Sequence, residues 1–296
     1  MRRFKRIYVE ITNVCNLECG FCPKTARKPE FMGVDLFRRI LGEVKKYSGY
    51  LYFHVMGEPL MHPEIDVFLD LCHENGFRVN ITTNGTLIKK VMDKLLYKPA
   101  LRQMNFSLHI FDESADEKVI DGYLDDIFAF IGLAAGDPGF TACLRLWNAR
   151  EKYDSAGCSA RTDGKNRYIL EKIEKFFALP YEIREIPLTG NGVKIAENVY
   201  VSRAVRFDWP DIDLPDAGNN GFCLGLRNQA AILADGTVVP CCLDSEGMIN
   251  LGNIKDSSFS EIINSERAMG IYNGFSERKI VEPLCGKCGY RKRFDR

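Results

Sequence analysis

The chain has no excess charge of either sign: 40 Lys and Arg offset 40 Asp and Glu across 296 residues. A neutral protein has no electrostatic pull toward a phosphate backbone, so nucleic acid is not expected as a partner. No run of about 18 apolar residues is present, and no apolar N-terminal segment of the kind that marks secretion. The expectation is a cytoplasmic protein with no membrane span. No internal repeat or low-complexity tract occurs, and the expectation is that no extension precedes the first predicted strand.

What the chain does have is cysteine, 11 in all, with a hydrophobic content of 46% that suffices for a sizeable core. A disulfide-stapled secreted protein would use that many thiols, but this chain has no signal and is too long to need staples. Eight fall either in one N-terminal loop (Cys15, Cys19, Cys22) or in the last quarter (Cys223, Cys241, Cys242, Cys285, Cys288). Clustered thiols in a reducing compartment point to metal-cluster ligation.

Residues 6–12 alternate and are β-branched, which predicts a strand, and Asn13 ends it. Cys15, Cys19 and Cys22, spaced C-x3-C-x2-C, therefore sit on a loop at a strand's C-terminal end. Ligands bind at that end in α/β barrels and open α/β sheets. Soft thiolates this close suit an iron–sulfur cluster, and three of them leave one iron of a four-iron cluster open to a substrate or cofactor. A zinc site would need a fourth ligand nearby, for which His54 and His62 are the candidates.

The loop, with Phe21 before its last cysteine, resembles the radical SAM superfamily. The resemblance implies a 4Fe–4S cluster on Cys15, Cys19 and Cys22 whose open iron chelates the amino and carboxylate groups of S-adenosylmethionine (SAM). One electron, from a donor such as flavodoxin or ferredoxin, then yields a 5′-deoxyadenosyl radical. The implied fold is α/β: a partial (β/α)6 TIM barrel over residues 1–190, a linker over 191–220, and a small C-terminal α+β iron–sulfur module over 221–296.

Periodicity agrees with alternating strands and helices. Strands are expected at residues 6–12, 50–55, 78–82, 103–109, 140–147 and 181–186, and helices at 34–47, 63–75, 87–96, 123–135 and 167–178. On the first helix Leu36, Ile40, Leu41 and Val44 form the apolar face, with Asp35 as a cap. Pro63 is expected at the first position of the second helix. Proline, glycine and asparagine punctuate 187–220, leaving one short strand at 199–201.

In the family, a Gly-Gly-Glu-Pro-like turn binds SAM's ammonium through acceptor groups. Gly57, Glu58 and Pro59 match it here, with Met56 in place of the first glycine. Asn84 and Ser107 lie near the ends of the third and fourth strands, where family members contact the SAM ribose and carboxylate. Alternation puts Ser107, Asn105 and His109 on the inner face, with Phe106 and Leu108 outward. By the same parity Arg145 faces inward with Cys143 and Trp147, a costly place for an unpaired charge. It is a candidate for SAM's carboxylate or an anionic substrate, with a structural pairing to a glutamate as the other reading.

In the last quarter, Cys223, Gly236 and Cys241 form C-x12-G-x4-C, and Cys285 and Cys288 form C-x2-C. An Asp235-Gly236 hairpin over 232–239 is expected to fix Cys241 relative to Cys223. The pattern resembles the shortened SPASM domain called Twitch. It implies a second 4Fe–4S cluster on Cys223, Cys241, Cys285 and Cys288, with a four-cysteine zinc site as the other reading. Cys242 is a packing residue, an alternative ligand or a hydrogen-atom donor. Cys158 lies in a Ser/Gly-rich loop near the expected barrel mouth and is, with Cys242 and Arg145, a candidate catalytic residue, and Cys72 on a helix is core. Lys24, Arg27, Lys28 and Arg161 could make that mouth basic.

The implied function is hydrogen-atom abstraction from a small molecule, such as dehydrogenation of an alcohol, with the second cluster accepting an electron. The alternatives are a peptide-modifying maturase making an epimer or crosslink, and a zinc-bearing binding protein without catalysis.

Overall fold

The computed structural model describes residues 4–112, 114–149, 164–186 and 192–294. They form two compact units, one of residues up to 81 with those from 207 onward, the other of residues 82–206.

The first unit begins with β1 (Arg6–Val9), α1 (Val34–Val44), β2 (Tyr50–Phe53), α2 (Ile65–Glu74) and β3 (Arg78–Thr83). The three strands are parallel, with β1 beside β2 and β2 beside β3. Alternate residues Ile7, Val9, Leu51, Phe53, Val79 and Ile81 are fully buried. Phe37 of α1 stacks on Phe68 of α2 at 4.1 Å and meets Phe53 of β2 edge-on at 5.8 Å. Each such buried ring contributes about 1.5–3 kcal/mol of transfer free energy. The buried face of α1 is thus Phe37, Ile40, Leu41 and Val44, an i, i+3, i+4, i+7 set, and Leu36 is only half-buried. Asp35 does not cap: Gly33 precedes the helix and no side chain takes the first amides. Pro63 lies outside α2, which starts two residues later.

The second unit holds α3 (Ile88–Leu95), β4 (Leu101–Ser107), α4 (Glu117–Ala134), β5 (Thr141–Ala149), α5 (Gly164–Phe176), β6 (Val193–Ala196) and β7 (Val199–Val205). β4, β5 and β7 run parallel, and β6 pairs antiparallel with β7. Residues 181–186 are not the sixth strand; they contain a single 3-10 turn at Ile183–Glu185. Side chains take the backbone groups a sheet would need, since Glu174 accepts from Ile183 N–H and Arg203 donates to the Ile183 carbonyl. The strand beside β5 is β7, longer than the short strand expected at 199–201, and the stretch 192–206 carries two strands instead of a linker.

The chain then returns to the first unit with β8 (Gln229–Ile232), β9 (Val238–Val239), α6 (Phe259–Ile263), α7 (Glu266–Ser276) and α8 (Pro283–Lys287). β8 and β9 form the expected hairpin around Asp235-Gly236. β8 also pairs parallel with β1, in register from Arg6 opposite Gln229 to Val9 opposite Ile232. Phe259 of α6 packs on Phe4 and Tyr47, and its N–H donates to Glu43 near the end of α1. A capping box of Ser258 and Glu261 starts α6. Among the described residues no helix is long and apolar enough to cross a membrane.

Candidate active site

The loop after β1 is pinned at its base by Thr12 and Asn13, three and four residues past the strand's end. Thr12 Oγ1 donates to the Glu30 carbonyl and accepts from Val14 N–H. Asn13 donates from Nδ2 to the Lys28 carbonyl and accepts at Oδ1 from Glu30 N–H. These bonds satisfy backbone groups that a free loop would leave to water. Cys15, Cys19 and Cys22 project from the closed loop, with Cys15 and Cys22 exposed and Cys19 half-buried. Cys22 N–H donates to the Cys19 carbonyl at 3.0 Å. Burial, and then the neighbouring Cys15, pushes the Cys19 thiol above its ordinary value.

Gly57 fastens the turn after β2 to this loop. Its φ is +75°, and a Cβ there would lie 2.8 Å from the Asn13 carbonyl carbon and closer still to the Thr12 oxygen. Only glycine permits both the left-handed backbone and that approach. Glu58 N–H donates to the Val14 carbonyl at 2.8 Å, a direct bond from turn to loop. The Glu58 side chain is buried, and its Oε1 accepts from Leu60 N–H.

Sequence reasoning missed Glu10, the side chain that ties these pieces together. Its carboxylate is fully buried and receives both arms of Arg27 at 2.7 and 2.6 Å. Glu10 also accepts from Met56 N–H, one residue before Gly57, and from Ala234 N–H in the β8–β9 hairpin. Ala26 N–H donates to Glu246. Arg27 is thus bonded within the fold, not a cation of a basic mouth. The one local signal was a carboxylate directly after the apolar run at residues 7–9 of β1.

Four of the five cysteines of the last quarter, the candidate ligands of the second cluster, also lie in this unit. Cys223, Cys241 and Cys285 are half-buried and Cys288 is buried. Burial pushes all four thiols up, and close neighbours push three of them further: Cys288 acts on Cys223, Cys223 and Cys285 act on Cys241, and Cys223 and Cys288 act on Cys285. Arg291, also missed, is 1% exposed. Its guanidinium donates to the carbonyls of Cys285 (3.0 Å), Asn220 (2.7 Å) and Gly218.

Among the described residues no cysteine is in a disulfide, and no three His, Cys, Asp or Glu side chains are already closed into a metal shell. By kind and placement the thiols nevertheless fit iron–sulfur clusters: three on one pinned loop, four gathered beside a buried cation. His62 does not complete a zinc site, because its ring nitrogens engage the Met32 carbonyl and Glu64 N–H.

Cys242 packs with Tyr52 against Tyr8, Val55, Ala231, Leu233 and Val239. Burial pushes its thiol to about 11, opposed by a hydrogen bond with the Tyr8 phenol. Cys72 is buried, as expected. Cys158 and Arg161 lie outside the described residues.

In the second unit the register sets Ser107 beside Arg145 and Arg145 beside Ser202, with Asn105, Cys143 and Tyr200 one pleat away. Phe106 faces the other way, onto Phe130 of α4. The Arg145 guanidinium lies 4.4 Å over the Trp147 ring. Burial lowers the pKa of His109, which bonds the Arg145 carbonyl. The Asn84 oxygen accepts from Thr86 N–H and Oγ1, an Asx turn, so local turn chemistry explains that part of the residue.

The family model described as radical SAM superfamily matches residues 9–136, and the iron–sulfur cluster-binding domain SPASM matches 223–289. A tungsten-containing aldehyde ferredoxin oxidoreductase cofactor-modifying protein of Pyrococcus furiosus is 25% identical over 98% of this chain and 89% of its own length. A GTP 3',8-cyclase of Clostridium botulinum is 24% identical over 95% and 93%. Among solved structures, BtrN in complex with AdoMet and 2-DOIA has a TM-score of 0.56 at 18% identity, covering 98% of this chain and 94% of that one. Streptococcus suis SuiB bound to precursor peptide SuiA has 0.61 at 16%, covering 98% and 70%. These two show the shared α/β fold.

Proposed function

Given that this chain belongs to the radical SAM superfamily and carries a SPASM-type iron–sulfur domain, we propose that it is an enzyme in which Cys15, Cys19 and Cys22 hold the SAM-binding 4Fe–4S cluster. Cys223, Cys241, Cys285 and Cys288 hold a fully ligated second one. When bound, the first cluster and SAM supply a 5′-deoxyadenosyl radical that abstracts a hydrogen atom from the substrate. The observation that carries the reading is the docking of Gly57 and Glu58 onto the cysteine loop, with Glu58 N–H on the Val14 carbonyl. That contact fastens the turn to the loop that carries the three thiols, which supports the reading because an ammonium needs acceptors. On β4 and β5 of the second unit, Ser107 and Arg145 offer a hydroxyl and a cation side by side.

The substrate is a small molecule, such as an organic cofactor. Two relatives spanning nearly the whole chain are named for acting on a cofactor and on GTP. Alcohol dehydrogenation is the specific form proposed, with the second cluster accepting the electron left on the substrate. A peptide substrate is supported by likeness of fold alone, and fold does not carry substrate. Anaerobic, reduced protein given SAM is expected to release 5′-deoxyadenosine and methionine slowly even without substrate, and the Cys15→Ala/Cys19→Ala/Cys22→Ala variant none. Release of S-adenosylhomocysteine alone would replace this reading with methyl transfer.

A further inference from the structure

Arg291 is the most deeply buried cation of the first unit, and its three partners are backbone carbonyls. Carbonyls solvate a guanidinium but do not cancel its charge, and a buried uncompensated charge is expensive. Among the described residues, the carboxylates nearby along the chain are engaged elsewhere: Glu282 with Arg267 and Asp216 with Lys287. Asp244 accepts from the amides of Met248 and Ile249. What lies close to Arg291 is cysteine. Its Nε is 3.0 Å from the Cys285 carbonyl, and its other arms hold the Asn220 and Gly218 carbonyls, on the segment that leads into Cys223.

We propose that Arg291 is the counter-ion of the cluster held by Cys223, Cys241, Cys285 and Cys288, and that its charge raises that cluster's reduction potential. The proposal rests on the four-cysteine reading above. A cluster with four thiolates is anionic, and one-electron reduction adds one more negative charge. A fixed cation therefore stabilises the reduced form more than the oxidised one. Cations held by backbone carbonyls keep their full charge for this purpose, whereas a carboxylate partner would remove most of it. Arg291 is a positioning residue with an electrostatic role: it holds the backbone at Gly218, Asn220 and Cys285 and makes the second cluster a better electron acceptor.

The test is a redox titration of the second cluster's electron paramagnetic resonance signal. It uses the full, anaerobically reconstituted chain with Cys15, Cys19 and Cys22 changed to Ala, so that this signal stands alone. Arg291→Gln keeps hydrogen-bond donors and loses the charge. It is expected to lower the midpoint by the equivalent of at least a tenfold shift in the reduced-to-oxidised ratio, about 59 mV for one electron. Arg291→Lys loses the three-carbonyl fork but keeps the charge, and is expected to titrate near the parent. A Gln variant without iron beside a Lys variant of parental potential also supports a charge requirement. A parental midpoint in the Gln variant, a Lys variant that falls as far as Gln, or loss of iron in both overturns the proposal. Absence of iron before Arg291 is changed is a separate failure, which removes the four-cysteine cluster and this proposal with it.

Discussion

A left-handed glycine can be needed for its backbone, for its missing Cβ, or for both, and this chain separates the two. Gly57 and Gly76 have nearly the same φ, +75° and +77°, but a Cβ at Gly76 meets nothing within 4 Å. Gly76→Ala is expected to show the strain alone, about 1–2 kcal/mol, with SAM cleavage unchanged. Gly57→Ala adds a collision with the backbone at Thr12 and Asn13, the hinge of the cysteine loop. Displacement of positioned groups by an ångström costs about 10²-fold in rate. Loss of that order in 5′-deoxyadenosine formation is expected for Gly57→Ala, measured beside Gly76→Ala at equal iron content. Equal activity in the two variants would reduce Gly57 to a turn residue.

At the scale of the element, the cysteine loop is held from three directions by Glu10: Arg27 on the loop, Met56 before the Gly57 turn, and Ala234 in the hairpin. Removing one partner of a buried ion pair costs about 3–5 kcal/mol. Arg27→Ala should fall at the lower end, since two backbone amides still bond the Glu10 carboxylate. The expected outcome is a lower urea midpoint, with iron lost from the N-terminal set before the C-terminal one, followed by Mössbauer spectroscopy. Arg27→Lys restores the charge without the two-armed geometry and is expected to recover only part of the loss.

At the scale of the molecule, β8 matters most. Because β8 pairs with β1, the C-terminal residues complete the sheet of the first unit. Ending the chain at residue 220 would uncover β1 along Arg6–Val9, whose last three residues are buried. An exposed apolar edge strand templates association. The shortened chain is expected to aggregate, read by gel filtration against the full-length protein. A soluble monomer would show that the C-terminal part is a self-standing module.

Local chemistry is legible in the sequence because it needs only neighbours along the chain. The C-x3-C-x2-C loop at the end of a strand, the Gly57-Glu58-Pro59 turn, the alternation around Ser107 and Arg145, and the Asp235-Gly236 hairpin each involve a few adjacent residues. Pattern and turn preference therefore determined them. The rest was decided by pairings between distant residues. The strand beside β5 is β7 and not 181–186, because two side chains had taken the backbone of Ile183. Glu10 meets Ala234 across 224 positions, and Arg291 meets Gly218 across 73. No local periodicity encodes such a bond. Its strength comes from burial, and burial exists only once the sheet and the C-terminal helices have closed around it.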